Sequence, residues 1–250
     1  MSSGSSRVTK RRAPARNLRP RAKAVKSSMA SEEDASTAST NHEADDNTSP
    51  LFFWRESHPE TGYLSQWWPC AFRDAADPSK TYKTAEHYMM HQKALLFNDQ
   101  AVAARVLAAG HPRDVKKLGR QVHGFDEAAW VAARERIVEE GTYLKFTQVI
   151  VPRAAREVGE AALRRGTAPG SMPVGEGGLR GLLLDTGDRE LVEASPYDRI
   201  WGIGFREAGA EGVRGEWGLN LLGKALMRVR ERLRREKEER EEKENGEEED

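Results

Sequence analysis

The feature that most constrains how this chain can fold is an abrupt change of composition at residue 51. Residues 1–50 contain no aromatic residue, whereas the next four, Leu51-Phe52-Phe53-Trp54, are all large and apolar. A segment without large apolar side chains cannot bury enough surface to offset its loss of entropy on ordering, so 1–50 is predicted to be disordered. The four apolar residues predict a buried strand, with which a folded domain begins.

The charges are segregated in the same way. The 40 basic and 40 acidic residues cancel overall, but residues 1–26 carry nine basic residues and no acid, and residues 27–50 carry six acids and no base. Three interpretations of the basic segment stay open: a mitochondrial transit peptide, a nuclear address or arm that holds DNA phosphates through residues 7–26, and a solvated tail without a partner. We therefore expect a nuclear or cytoplasmic protein, with mitochondrial import as the alternative. Residues 234–250 predict a charged, acidic C-terminal tail.

Several classes of protein are excluded by what the sequence lacks. No window approaches the ~18 apolar residues of a membrane span, which predicts a soluble protein. A single cysteine, Cys70, excludes an internal disulfide framework and a cysteine-based zinc cluster. The pair His87 and His91 has ligand-like spacing but lacks the intervening glutamate of a zinc protease, so histidines with ordinary hydrogen-bond partners are favoured. We expect neither a metal nor a cofactor.

The pattern between residues 51 and 233 predicts one mostly helical α+β domain with a few short strands. Thr84 is a good N-cap residue for the helix that follows it. Strands are expected at 182–184 and 191–192, with a further strand or edge at 201–205. The segment 150–178 resembles an insertion that begins with a weak helix, 151–163, and continues as a loop, 166–178. The other helices are predicted over 84–97, 100–109, 113–120, 126–146 and 218–232.

An acid and an amine project from the first predicted helix. Glu86 and Lys93 are seven residues apart, nearly two full turns, so they lie on one face together with Met90. That face is otherwise mostly apolar and is expected to point inward. Two interpretations stay open: a buried or half-buried ion pair, and an acid/base and amine pair in a cleft, where burial would shift both pKa values.

Ordered motifs along the chain resemble the NADAR superfamily, also called YbiA-like. The resemblance spans about residues 52 to 233 and includes one departure, because Gln66-Trp67 stands where family members usually have Asn-Phe. The motifs are Tyr63-Leu64-Ser65-Gln66-Trp67 with Pro69; Thr84-Ala85-Glu86-His87-Tyr88 with Gln92-Lys93; Arg113-x-x-Lys116-x-Leu118-Gly119-Arg120; Trp130; Lys145-Phe146; Leu184-Asp185-Thr186-Gly187-Asp188-Arg189-x-Leu191-Val192-Glu193; Ser195-Pro196-x-Asp198-x-x-Trp201-Gly202-x-Gly204; and Asn220-x-Leu222-Gly223.

The resemblance implies an N-glycosidase that cleaves the bond between ribose C1 and an exocyclic amine. The expected substrate is ADP-ribosyl-guanine in nucleic acid, and the alternative is a ribosylamino-pyrimidine phosphate of riboflavin biosynthesis. A further alternative is a non-catalytic module that binds ADP-ribose or another nucleotide. The family is thought to use a lysine that forms a Schiff base with C1, although hydrolysis by water with a carboxylate base stays open.

The same resemblance assigns roles to individual residues. Lys93 is the candidate nucleophile and Glu86 the candidate proton shuttle. The aromatic residues could stack on a base or pack in the core, the acids and the amide could bind ribose hydroxyls, and the basic residues and glycine amides could hold phosphates. The candidate substrate-binding residues are Tyr88, Gln92, Trp130, Asp185, Asp198, Trp201, Gly202, Gly204, Asn220, Arg113 and Lys116.

Overall fold

The computed structural model describes residues 49–150 and 178–247. In these two ranges the chain is mostly helical with a few short strands, which confirms the predicted α+β class. The expected helix 151–163, loop 166–178 and most of the insertion 150–178 lie outside the described residues, as does the basic segment. The elements are β1 (Leu51–Phe53), β2 (Phe72–Arg73), β3 (Thr81–Tyr82), α1 (Ala85–Leu96), α2 (Gln100–Ala108), α3 (Pro112–Gly119), α4 (Glu127–Thr147), α5 (Gly178–Leu184), β4 (Leu191–Glu193) and α6 (Leu221–Glu247), with 3-10 helices at Gly62–Leu64 and Glu211–Glu216.

The strands form two small ladders. Strand β1 pairs in parallel with β4, with Phe53 opposite Glu193, and β2 pairs antiparallel with β3. Both predicted strands at 51–54 and 191–192 are therefore confirmed. Two-stranded sheets are marginal alone, so the surrounding helices must supply most of the buried apolar surface. The consequence for function is that β1 brings the segment after Phe53 beside the segment after Glu193, 140 residues later.

Helix α1 lies at the centre of the fold and is buried on nearly all sides. The side chain of Thr84 accepts a hydrogen bond from the backbone N–H of His87, as predicted for an N-cap. Buried polar groups on this helix need partners. His87 Nδ1 lies 2.8 Å from Thr84 Oγ1 and its Nε2 lies 3.2 Å from Ala109 O, while His91 Nδ1 lies 3.2 Å from the Tyr82 hydroxyl. The favoured interpretation of this histidine pair is confirmed.

Three local predictions were wrong. Residues 182–184 belong to helix α5, because Leu179 and Leu183 are buried four residues apart, a helical rather than a strand spacing. Residues 201–205 form turns, in which Gly204 has a φ of +78°. The last helix begins at Leu221 rather than 218, directly after the left-handed residue Asn220.

The last helix also continues into the charged C-terminal segment, where it runs to Glu247. Residues 237–246 are exposed, in keeping with their charge. A search of the described helices finds no segment that is long and apolar enough to cross a membrane.

Candidate active site

A cavity of about 550 Å³ lies between helices α1 and α3 and the segments that follow β1 and β4. Five segments of the chain, residues 54–56, 65–67, 86–93, 113–120 and 193–201, therefore contribute side chains to one site. The β1–β4 pairing fixes two of them, and the turn 65–67 is fixed against α1 by a hydrogen bond from Glu86 N–H to Gln66 O. The lining includes Trp54, Arg55, Trp67, Glu86, Lys93, Arg113, Lys116, Arg120, Glu193, Tyr197, Asp198, Ile200 and Trp201.

The Glu86 carboxyl group is buried at the floor of this cavity. Its side chain is 3% exposed, and Oε1 has no hydrogen-bond partner among the described residues. Burial raises the pKa of Glu86 to about 7, against the opposing effects of the Lys116 charge and a hydrogen bond from the Trp67 side chain. A carboxyl group that titrates near neutral pH can both accept and donate protons in a reaction.

Lys93 lines the same cavity from the next two turns of α1. Its ammonium group donates to the carbonyl of Gly119 at 2.9 Å and lies 4.2 Å from the centroid of the Phe125 ring. Burial lowers the pKa of Lys93, and the charge of Glu127 opposes this effect. Of the two interpretations made from the sequence, the structure gives an acid and an amine in one cleft. Within the described residues, no ion pair joins Glu86 and Lys93.

The close approach of α3 to α1 depends on a glycine. A Cβ atom on Gly119 would lie 2.0 Å from the sulfur of Met90, so only glycine allows this packing without a shift. The same contact brings the Gly119 carbonyl to the Lys93 ammonium. Steric contact with Met90 thus explains the glycine at this position of the motif, and the carbonyl of Gly119 also helps to orient the Lys93 amine.

Four further candidates line the cavity as well. Arg113 and Lys116 project from α3 with exposed side chains, so they offer positive charge at the rim. The carboxylate of Asp198 accepts hydrogen bonds from the backbone N–H groups of Ile200 and Trp201, at 2.9 and 2.8 Å, which orders the turn that presents Trp201. Together with Glu86 and Lys93, six of the predicted residues converge.

The aromatic candidates Tyr88 and Trp130 lie in the core. The Tyr88 ring lies 5.0 Å from that of Tyr82, and it packs so closely on α4 that a Cβ on Gly141 would lie 2.4 Å from it. Trp130 is 9% exposed, with its ring centroid 5.4 Å from the Lys93 ammonium. Core packing, the alternative considered for both residues, is what the structure shows, and Trp130 also contacts the amine.

The remaining candidates are placed away from the cavity lining. The side-chain amide of Asn220 is occupied, because it accepts from the Glu193 N–H at 3.0 Å and donates to the Leu191 carbonyl at 2.9 Å. The backbone N–H of Gly204 donates to Ser195 O at 3.1 Å, so it is not free for a phosphate. A Cβ on Gly202 would lie 2.6 Å from the Glu193 carbonyl. Asp185 is exposed beyond α5, and Gln92 hydrogen-bonds the Tyr82 side chain.

Sequence reasoning missed two groups of lining residues. Glu193, the last residue of β4, carries a second buried carboxyl oxygen without a partner, Oε2, among the described residues. Its signal was an acid directly after a buried parallel strand, a position where sites often form. The second group is the aromatic rim, where Tyr197 is 82% exposed and its ring lies 6.1 Å from that of Trp54.

Comparison with known proteins finds relatives that align with most of this chain. Residues 52–234 match the sequence profile of the NADAR domain, which confirms the resemblance drawn from the motifs. An N-glycosidase of Acanthamoeba polyphaga mimivirus is 35% identical over 187 residues, which cover 72% of this chain and 94% of that protein. A riboflavin biosynthesis protein of Vibrio vulnificus is 27% identical over 184 residues, 74% of this chain and 38% of that protein.

A solved structure has the same fold. The NMR structure of the Escherichia coli protein YbiA superposes with a TM-score of 0.52 at 25% sequence identity. The match covers 76% of this chain and 87% of that one. The α+β class derived above therefore extends to a protein whose structure was determined experimentally.

Proposed function

Because this chain belongs to the NADAR domain family, we propose that it is an N-glycosidase that hydrolyses the bond between ribose C1 and an exocyclic amine. The name N-glycosidase of the mimivirus relative supports this activity. The observation that carries the proposal is that one cavity holds both a buried carboxyl group that titrates near pH 7 and an amine whose pKa burial lowers. Cleavage of such a bond needs a proton carrier and a nucleophile.

The proposed reaction proceeds through a Schiff base on Lys93. Opening of the sugar ring gives an iminium at C1, to which the neutral amine of Lys93 adds. Glu86 takes a proton from the lysine nitrogen and delivers it to the exocyclic nitrogen, which leaves with the electron pair of its bond to C1. Water then adds to the lysine imine and releases the sugar. Burial favours the neutral amine that this addition requires.

The substrate that we propose is ADP-ribosyl-guanine in nucleic acid. The rim carries basic side chains that suit a pyrophosphate group, since Arg113 and Lys116 on α3 face Arg55, which follows β1, across the lining. Trp67 and Trp201 are half-buried and offer faces on which a base can stack. The volume of about 550 Å³ falls in the range of ordinary small-molecule sites.

A nucleic-acid substrate also gives the basic segment a role. We propose that residues 7–26 hold DNA phosphates and deliver the domain to its substrate. Deletion of 1–50 is then expected to weaken DNA binding and to flatten its salt dependence, while turnover of a free nucleoside substrate stays unchanged. Salt titrations of binding and assays with the small substrate measure these two effects separately. Loss of turnover on the small substrate would contradict a role of residues 7–26 that is limited to DNA binding.

A ribosylamino-pyrimidine phosphate is the second candidate substrate. The observation that favours it is the name of the Vibrio vulnificus relative, a riboflavin biosynthesis protein. The scissile bond is the same, so Lys93 and Glu86 would keep their roles, but only one phosphate would need to be held. A non-catalytic nucleotide-binding module is the less favoured alternative, because such a module has no use for a buried acid beside an amine.

The test is borohydride trapping followed by mass spectrometry of the intact protein. ADP-ribose and ribose 5-phosphate are offered separately, since the open-chain aldehyde of either sugar can form the imine without a leaving group. A stable adduct on Lys93 is expected, and the better-trapped sugar indicates the substrate class. Binding of ADP-ribose without an adduct from either sugar would contradict the Schiff base and favour the binding module or hydrolysis by water.

A further inference from the structure

Glu193 is a half-buried acid of the cavity lining that the proposed reaction does not use. Its backbone is held rigidly, because its N–H donates to Asn220 Oδ1 at 3.0 Å and its carbonyl accepts from Ile203 N–H at 2.9 Å. Its side chain lines the cavity, and its Oε2 is buried without a hydrogen-bond partner in the described part of the chain. A buried carboxyl oxygen without a partner is destabilising, so a purely structural role does not explain it.

The charged groups around Glu193 come from every side of the cavity. Glu86 approaches from α1, Asp198 from the turn after β4 and Lys116 from α3. Three carboxyl groups thus share a small region with one nearby ammonium group. Like charges oppose ionisation, so the negative charges of Asp198 and Glu86 favour the protonated form of Glu193, against the effect of Lys116.

We propose that Glu193 is the general acid that protonates the sugar ring oxygen, while Glu86 moves protons between the nitrogens. This inference rests on the proposed N-glycosidase activity and divides its proton transfers between two residues. The ring oxygen and the two nitrogens lie on different sides of C1, so the two proton transfers are made at different places in the cavity. Two carboxyl groups in one cavity, held by different elements, can be in different protonation states.

The proton balance closes over one turnover. Glu193 gives its proton to the ring oxygen as the C1–O bond breaks, and the lone pair of the exocyclic nitrogen forms the C1=N bond. Lys93 then displaces the base amine by way of Glu86, and water hydrolyses the lysine imine. The carbonyl group of the released sugar leaves as a protonated aldehyde and returns its proton to Glu193. The sugar hydroxyl that was the ring oxygen then closes on the aldehyde.

The acidities of both carboxyl groups suit proton transfer near neutral pH. Burial, reinforced by the charges of Asp198 and Glu86, raises the pKa of Glu193 to about 8, and burial raises that of Glu86 to about 7. The rate of turnover is expected to rise with Glu86 ionisation and to fall again as Glu193 loses its proton, which gives a bell-shaped pH profile.

The test is Glu193→Gln in the full-length chain, with Glu190→Gln as the matched control. Glu190 lies three residues earlier, outside the cavity, and forms an ion pair with Arg214. For Glu193→Gln we expect kcat to fall about 10²- to 10⁴-fold with little change in KM, and the alkaline limb of the pH profile to disappear. Borohydride trapping of free ribose 5-phosphate is expected to persist, since an aldehyde needs no ring-oxygen proton.

The outcomes separate this inference from the function on which it rests. If the unaltered protein neither turns over nor traps a sugar, both proposals fail. If it does, and Glu193→Gln keeps a kcat within about threefold or retains the alkaline limb, the role of Glu193 alone is overturned. Should the glutamine variant not fold, Glu193→Asp keeps an acid at this position. A folded Glu193→Asp variant is expected to keep the alkaline limb, and its loss would overturn the inference.

Discussion

Two lysines in different regions of the molecule, one buried and one half-buried, show what separates a structural amine from a reactive one. Lys145 lies in α4, is 2% exposed, and donates to two backbone carbonyls, Tyr63 O at 2.5 Å and Ser65 O at 2.8 Å. Lys93 lies in α1 and donates to one carbonyl at 2.9 Å, with aromatic rings on its other side. Burial lowers the pKa of both, that of Lys145 to about 8.

A lowered pKa therefore does not by itself mark the reactive lysine. The difference lies in access to the cavity, which Lys93 lines and Lys145 does not. Lys145 instead fixes the turn after Gly62–Leu64, and that turn presents Gln66 and Trp67 to the cavity. Its hydrogen bonds to the backbone are used to position other residues. Substitutions at the two positions test whether Lys93 is needed for the reaction and Lys145 for stability.

The largest effect is expected at Lys93. Lys93→Ala and Lys93→Arg should each lower turnover by about 10⁴-fold or more, because alanine has no amine and a guanidinium group does not form the imine. Both variants should keep the fold, since Lys93 is only half-buried and has one hydrogen bond to the backbone. Steady-state turnover, intact mass after borohydride and thermal unfolding measure these effects. Ordinary turnover in either variant would remove Lys93 from the reaction.

The opposite result is expected at Lys145. Lys145→Met should lower the free energy of unfolding by about 2–4 kcal/mol, because two buried carbonyls lose their donor. Turnover per folded molecule should stay within about tenfold. The matched control is Lys83→Met, because the Lys83 ammonium also donates to two carbonyls, Ala108 O and Ala109 O, but its side chain is exposed. Water can replace it, so we expect a loss below about 1 kcal/mol.

Urea unfolding measures both lysine variants at one pH. Equal losses for Lys145→Met and Lys83→Met would mean that burial of the carbonyls does not matter. A fully folded Lys145→Met variant without turnover would mean that Lys145, too, takes part in the chemistry, and the distinction between the two lysines would fail.

The convergence of Glu86 and Lys93 could be predicted because it needed only helical geometry. A capped helix with two groups seven residues apart places both on one face, whatever packs against it. The strand at 51–54 was equally clear, since four large apolar residues in a row leave little alternative. Residues 182–184 were ambiguous, because three leucines suit a buried strand or a helix, and only the spacing of Leu179 and Leu183 in the folded chain decides.

The position of Glu193 beside a predicted strand was a signal, but the burial of its carboxyl oxygen could not be predicted from local pattern. An acid at the end of a short strand usually faces water, and its burial results from the parallel pairing of β1 with β4 and from the approach of α1. Those contacts join residues more than 100 positions apart. The roles of Tyr88 and Trp130 were undecided for a similar reason, because a buried aromatic residue has the same pattern in a core and beside a site.

The cavity carboxyl groups should show a cost in stability that grows as pH rises, whereas the lowered pKa of Lys145 gives a cost that is relieved as pH rises above about 8. The pKa of Glu86 is about 7 in the folded state and near 4.5 in the unfolded state, so the folded state binds more protons between these values. Stability must then fall as pH rises through this window. Glu86→Gln should remove that fall and be more stable than the unaltered protein at about pH 8, by up to about 3 kcal/mol.

Urea unfolding at about pH 4.5 and pH 8 checks this sign. The gain should nearly vanish at the lower pH, where Glu86 is protonated in the folded state and about half protonated in the unfolded state. Turnover should be lost about 10²- to 10⁴-fold at every pH. The exposed Glu239 supplies a matched control, because Glu239→Gln should change neither quantity. A Glu86→Gln variant that is less stable at pH 8 would show that the carboxylate has compensating partners in the folded protein.

The smallest expected effect concerns a charge at the rim. Lys116 lies in the cavity lining and its charge lowers the pKa of Glu86, whereas its neighbour Lys117 lies outside the lining and pairs with Asp114 at 3.1 Å. Lys116→Gln should therefore move the acid limb of the kcat profile upward by less than about one unit. It should also raise KM about tenfold if the ammonium contacts a substrate phosphate.

Lys117→Gln is the control for this last comparison, because it removes the same charge from the same helix. Neither the acid limb of the kcat profile nor KM should change in Lys117→Gln, since the charge of Lys117 is exposed and screened by salt. A shift of equal size in both variants would mean that the net charge of α3, rather than a contact in the cavity, acts on Glu86. A shift confined to Lys116→Gln would mean that the pKa of Glu86 depends on a charge in the cavity lining. Position in the lining would then matter for this lysine as it does for Lys93 and Lys145.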